Sequence, residues 1–348
     1  MGLFGLFKRH KEEQTNNEII NSTTVKFSND PVNIPKENEY LQDNPTLEDG
    51  LAYGDVLMLN WLNGQKTNKK VPGYFIESFQ INPLSSKKTY IEKGLLVPGN
   101  TESRLLTLRI PELKKILKEN NQKVSGKKSE LISRIQQNVD ASNYINSLPT
   151  TYGLSDKALT LLKKYKLLIW AGNNERILSP KDYIPFINSS KAAPEIAISL
   201  LEKHIDELIE SNELFSAYPL SNTESEIATF YASLGDNTNY VKHYVYTTLI
   251  DYLCVTEIKA DFYIEPQDYN TQYIQSHIID SLQDQEINNQ ILSPIVIDFI
   301  KRYDRLLTVY FKNNPEIGVA AVMDALVLPP NKYHEKRQKI LRKLRNSK

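Results

Sequence analysis

From Leu51 onward, apolar positions recur at helical spacing, whereas residues 8–45 are polar, rich in Asn and Glu, and follow no sustained period. A stretch of that composition cannot bury enough surface to order itself, so residues 1–45 read as a disordered tether. Val56, Leu57, Leu59, Trp61 and Leu62 predict a short helix that the Asn63-Gly64 turn ends. Pro72 can open a second helix carrying Phe75, Ile76 and Phe79. Asn82 and Pro83 then supply an N-cap and a first-turn proline for a third, which Gly94 closes. Residues 46–100 are thus expected to form a small basic helical module.

Past a link at about 140–153, the helices lengthen. Ser155 can cap one with Leu159, Leu162, Tyr165, Leu168 and Ile169, and Pro194 can open another with Ile198, Leu201, Ile205, Leu208 and Ile209 on a single face. Further periodic stretches run over 224–234, 240–255, 273–282 and 293–311, and 315–325 can add one more. The expected fold class is all-α, with an acidic helical domain over 154–330 and a basic C-terminal helix or tail over 331–348.

The most informative stretch is 104–139, RLLTLRIPELKKILKENNQKVSGKKSELISRIQQNV. Leu108, Ile110, Leu113, Ile116 and Leu117 predict one amphipathic helix with Pro111 near its first position, and Leu131, Ile132, Ile135 and Val139 predict a second. The two apolar faces must meet. Between them, Asn120-Asn121 can take the left-handed geometry of a helix end, Val124 can plug the gap, Ser125 can cap the second helix, and Gly126 falls in its first turn.

These residues resemble the SAP motif, whose pattern runs roughly L-x-V-x-E-L-K-x-x-L-K-x-x-G-L-x-x-S-G-x-K-x-x-L-I-x-R-L. Leu108, Ile110, Glu112, Leu113, Lys114, Leu117 and Lys118 match its first half, and Ser125, Gly126, Lys128, Leu131, Ile132, Arg134 and Ile135 its second, without a gap. Asn121 stands where glycine is usual, and Gln122 where leucine is usual, which removes one core contact. The leading module adds a similarity to SAP proteins of Gram-positive bacteria and their phages. The resemblance implies binding of double-stranded DNA, often AT-rich, and the motif offers a physical basis for it. First-turn N–H groups of the second helix point outward with the positive end of its dipole, and Gly126 lets a phosphate approach. Lys127 and Lys128 add charge there, with Lys123 and Arg134 flanking. The candidate contacts are therefore Lys123, Ser125, Gly126, Lys127, Lys128 and Arg134. Such contacts position a protein on the phosphate backbone and barely read bases. A unit of about 36 residues is small to fold unaided, and the three-helix module before it is the expected brace.

Charge sharpens this picture. Lys plus Arg and Asp plus Glu number 42 each, but they are segregated: fifteen basic and six acidic groups over 64–139, seven and 21 over 195–330, eight and one over 331–348. An acidic body repels a polyanion and confines its binding to the basic segments. Lys66, Lys69, Lys70, Lys87, Lys88 and Lys93 of the leading module either contact phosphate or solvate a helical face. The tail has two readings as well, a second phosphate contact, which is the expectation adopted, or a helix folded back on the acidic body. The tyrosines crowded between Tyr240 and Tyr273 lie in acidic surroundings, so packing within the bundle is expected over base stacking.

Catalytic patterns do not emerge. Cys254 and five scattered histidines give no disulfide, CxxC or HExxH spacing, and GxxxxGK[ST], GxGxxG and GxSxG are absent. Asp206 and Glu210 share a helix face, but among other acids they read as ordinary acidic surface. No run approaches the roughly 20 apolar residues that cross a bilayer, and at the apolar start, Met1 to Phe7, charge follows instead of preceding, the reverse of a secretory signal. The expectation is a non-enzymatic, cytoplasmic protein without metal or cofactor. It docks on duplex DNA through the SAP motif and offers its acidic helical domain to a protein partner. The alternative is a structural or regulatory interaction module in which the SAP-like segment makes only packing or protein contacts.

Overall fold

A computed structural model describes residues 43–175, 177–211, 218–253 and 287–346. The expected tether up to Gln42, Cys254 and the stretch 273–282 lie outside the described residues. The first part of the chain forms helices α1 (Tyr53–Leu62), α2 (Tyr74–Glu77) and α3 (Pro83–Glu92), strand β1 (Leu96–Pro98), and helices α4 (Thr101–Leu106), α5 (Ile110–Glu119) and α6 (Lys128–Asn138). Strand β2 (Tyr152–Leu154) leads into α7 (Asp156–Lys164), α8 (Lys166–Asn174), α9 (Pro180–Tyr183) and α10 (Ala193–Glu210). Helices α11 (Tyr218–Leu234), α12 (Asn237–Leu253), α13 (Asn289–Arg302), α14 (Val309–Lys312), α15 (Glu316–Val327) and α16 (Pro330–Asn346) complete the described part. The fold is helical, and none of these helices is long and apolar enough to cross a membrane.

Local chemistry accounts for most boundaries. Gly64 (φ +75°) ends α1 and Gly94 (φ +67°) follows α3, both in a conformation that costs glycine little. Asn82 caps α3 by accepting from the N–H groups of Leu84 and Ser85, with Pro83 in the first turn. The second helix is shorter than its apolar spacing suggests, because Gln80 (φ +53°) turns the chain before the extended Asn82-Pro83 pair. Ser155 caps α7 through Ala158 N–H at 3.2 Å, but the helix breaks at Tyr165, whose hydroxyl donates to Asp49 at 2.6 Å. Leu159, expected inside, is 48% exposed.

Buried side chains gather in two clusters. The larger runs from Leu47 to Leu344 and joins residues of α1 to α3 with residues of α7 to α16. The Tyr53 hydroxyl, for example, donates to the Leu168 carbonyl at 3.4 Å, across 115 residues of sequence. Tyr244, Tyr246 and Tyr252 are buried in this body. The smaller cluster holds α4 to α6 and the chain returning from them, and shares no residue with the larger. Asp43 and Asn44, at the end of the polar N-terminal stretch, are tied to the body through Lys181, Ser179, Phe79 and Gly54.

A short ribbon connects the two. Strand β1 pairs antiparallel with β2, Leu96 opposite Leu154 and Pro98 opposite Tyr152, and Lys66 bridges to Thr151 on the other edge. This ribbon goes beyond the all-helical expectation. The N–H of Gly99 donates to Thr151 at 2.8 Å, so the chain leaves the body and re-enters it at nearly one point.

At the C-terminus, α16 lies on the body through Tyr333, Arg337, Leu341 and Leu344. Arg337 donates to the carbonyls of Asp251 and Tyr252 of α12, and Lys336 pairs with Asp324. The fold-back reading of the tail is the one this packing matches, because a helix committed to burying one face places two of its cations on the body.

Candidate nucleic-acid interface

The smaller cluster is built around two helices whose ends are set by main-chain bookkeeping. Helix α5 opens with Leu108 and Leu113 both buried on either side of its cap, while the Arg109 N–H donates to Glu112 at 2.6 Å. It closes with a two-bond end: Gln122 N–H reaches the Leu117 carbonyl at 2.8 Å and Asn121 N–H the Lys118 carbonyl at 3.1 Å. Asn121 takes φ +55°, as expected of the residue that replaces glycine there. Leu113, Ile116 and Leu117 of α5 face Leu131, Ile132 and Ile135 of α6, with Val139 beyond them. Ile110 is exposed, as the first residue of its helix.

The brace is not the three-helix module. Leu105 from α4, and Tyr144 and Leu148 from the stretch expected to be a link, complete the core. Arg104 secures that return, donating from Nε to the Pro149 carbonyl at 3.0 Å and from Nη2 to those of Ile145 and Leu148 at 2.8 Å. Asn143 donates to the Asn120 side chain at 2.9 Å, tying the return to the end of α5. Nearby, the Ser142 hydroxyl and N–H hold the Asp140 carboxyl below its usual range. Sequence reading passed over Arg104, Tyr144 and Leu148; the apolar pair at 144–145 and Leu148 were the signal available.

The start of α6 differs from expectation. Its cap is Lys127, not Ser125, and Gly126 precedes the helix instead of lying in its first turn. Glu130 explains the shift: its carboxylate accepts from the Lys127 N–H at 3.1 Å and caps the helix from within, two residues beyond Ser125. Gly126 sits at φ +132°, and a Cβ there would come 2.4 Å from Glu130 Oε2. Val124 does not plug the gap but is 38% exposed; Arg134 closes it instead, donating to the carbonyls of Lys123 at 2.7 Å and Ser125 at 3.0 Å.

The six candidate residues therefore come together but in different states. Lys123, Ser125, Gly126 and Lys127 form a continuous exposed edge. Lys128 is half-buried, with Nζ donating to the Leu106 carbonyl at the end of α4 at 2.7 Å. Arg134 is half-buried under the turn. The first-turn N–H groups of Lys128, Ser129 and Glu130 have no carbonyl within the helix to reach.

No curated protein and no solved structure matches the chain. The family model of the SAP domain matches residues 104–140, covering α5, the extended turn and α6. With the helix, turn and helix packed through the positions that define the motif, residues 104–140 are a SAP domain, a module that is generally DNA-binding.

Proposed function

We propose that the chain is a non-enzymatic, cytoplasmic DNA-binding protein that docks on duplex phosphates through residues 123–128. The acidic helical body is left to engage a protein partner. The observation that carries this reading is the exposed edge from Lys123 to Lys127 at the N-terminal end of α6, where two lysines flank a glycine beside first-turn N–H groups that have no carbonyl partner within the helix. Lys128 and Arg134 act behind it, holding the turn and the start of the helix in place.

The second reading, an interaction module in which the SAP domain makes only packing or protein contacts, is favoured by two facts. Lys128 and Arg134 already donate to main-chain carbonyls, and the Glu130 carboxylate stands at the helix start where a phosphate would approach. Titration of a fluorescent duplex at several salt concentrations separates the two. If Lys123 and Lys127 each meet a phosphate, Lys123→Glu with Lys127→Glu reduces the slope of log affinity on log salt by about 2 and lowers affinity at least about tenfold. Unchanged binding by a folded double variant would favour the second reading.

A further inference from the structure

The basic leading module contains a groove of about 810 Å³ between the turn at 67–71 and the start of α3. Twelve residues line it, of which Lys69, Lys70 and Lys87 are basic and none is Asp or Glu. Among the described residues, these three lysines form no salt bridge, although Lys88 on the same helix pairs with Glu92 and Lys164 with Glu48 and Asp49. Two of them are nevertheless held in place. Lys69 Nζ donates to Gln65 at 2.7 Å and lies 5.3 Å from the Trp61 ring, and Lys87 Nζ lies 5.3 Å from the Tyr152 ring. The first turn of α3 opens into the same groove and adds the positive end of its dipole. Ile76 and Leu84 on its walls are 52% and 81% exposed.

We propose that this groove is a second DNA-binding surface that takes a stretch of sugar–phosphate backbone, its lysines on phosphates and its apolar walls against sugars. The inference rests on the DNA-binding reading above and extends it to residues outside the SAP domain. Charge favours a polyanion: three uncompensated lysines in one concavity repel each other, and a phosphate chain relieves that repulsion. The surface is also continuous with the SAP root. Thr67, on the groove wall, donates its N–H to the Thr150 carbonyl at 3.0 Å, two residues after the last core residue of the SAP cluster, Leu148. Tyr152, under Lys87, belongs to the strand that carries the chain back into the body. One hydrogen-bonded ribbon thus carries both basic surfaces, so a duplex engaged by one is presented to the other at high effective concentration.

The test uses the full chain with Lys69, Lys70 and Lys87 changed to Glu, and in parallel to Gln, which removes the charge without reversing it. Circular dichroism matching that of the unaltered chain confirms folding, and anisotropy titrations at several salt concentrations use a plain duplex and one with a single-stranded overhang. The expected result is a slope reduced by about 2 to 3 in both variants, with affinity lowered at least about tenfold. Loss seen only with the overhang substrate supports the groove and assigns it to single-stranded backbone. A slope and affinity unchanged with both substrates, while Lys123→Glu with Lys127→Glu impairs binding, overturns the groove and leaves the SAP contact standing. A loss in the groove variants with none in the SAP variant supports the groove and removes the SAP edge. Absence of binding by the unaltered chain overturns both.

Discussion

Gly126 is held by two independent constraints, a φ of +132° that side chains rarely adopt and the Glu130 carboxylate in the space a Cβ would fill. The carboxylate can swing aside, but the backbone cannot relax without moving the cap of α6. Gly126→Ala is therefore expected to destabilise the SAP domain by about 1 to 3 kcal/mol, read as faster hydrogen exchange of α6 amides with the body unaffected. Equal exchange in both proteins would mean that the turn adapts. Asn121 also has positive φ, at +55°, but there asparagine is tolerated and the helix end keeps both of its bonds. Asn121 was legible in the sequence because its demand is local, whereas Gly126 was expected inside the first turn and its positive φ was not foreseen. The cap was misread two residues early, since the Ser125 hydroxyl can accept and the Lys127 ammonium cannot. Only the fold shows that Glu130 supplies the acceptor.

Between elements, the SAP domain depends on the chain that returns from it. Its two helices bury one face each, and a fully buried aliphatic side chain contributes about 1.5 to 3 kcal/mol. Gln122 gives up one such contribution relative to the family pattern, and Leu105, Tyr144 and Leu148 extend the core beyond the motif. Arg104 ties this extension down through three carbonyls. Arg104→Met retains much of the stem while removing all three donors, and is expected to cost about 2 kcal/mol and to speed amide exchange over 144–149. A variant with the unfolding profile of the parent would show that the return is held by its apolar contacts alone.

In the whole molecule, the SAP domain is an excursion from a larger helical body. The buried clusters share no residue, and Gly99 N–H and the Thr151 carbonyl stand 2.8 Å apart where the chain departs and returns. Replacing residues 100–150 by two or three glycines is expected to lower the helical circular dichroism only by the share of α4 to α6 and to leave a body that melts cooperatively, because β1 and β2 remain neighbours and the larger core loses nothing. A body that fails to fold without the insert would contradict the separation of the two cores. The same layout explains the charge map. Basic residues concentrate on the excursion and its root, and the acidic charge lies in the body, where α16 sets part of the C-terminal basic segment against α12 and α15.

By itself the sequence determined the helical class, the start of several helices and the SAP motif. Each of these follows from residues within about four positions of one another: apolar spacing, Asn82 and Ser155 as caps, Asn121 at a left-handed helix end. The tertiary structure decided which residues share a core and which cations remain available. Helices α1 to α3 join α7 to α16, residues 144–148 join the SAP core, and Lys128 and Arg134 are engaged by carbonyls of Leu106, Lys123 and Ser125 while Lys123 and Lys127 stay exposed. Periodicity states that a face must be buried without naming its partner. A charged side chain's partner is chosen by where the folded backbone places its unpaired carbonyls, which no local pattern encodes.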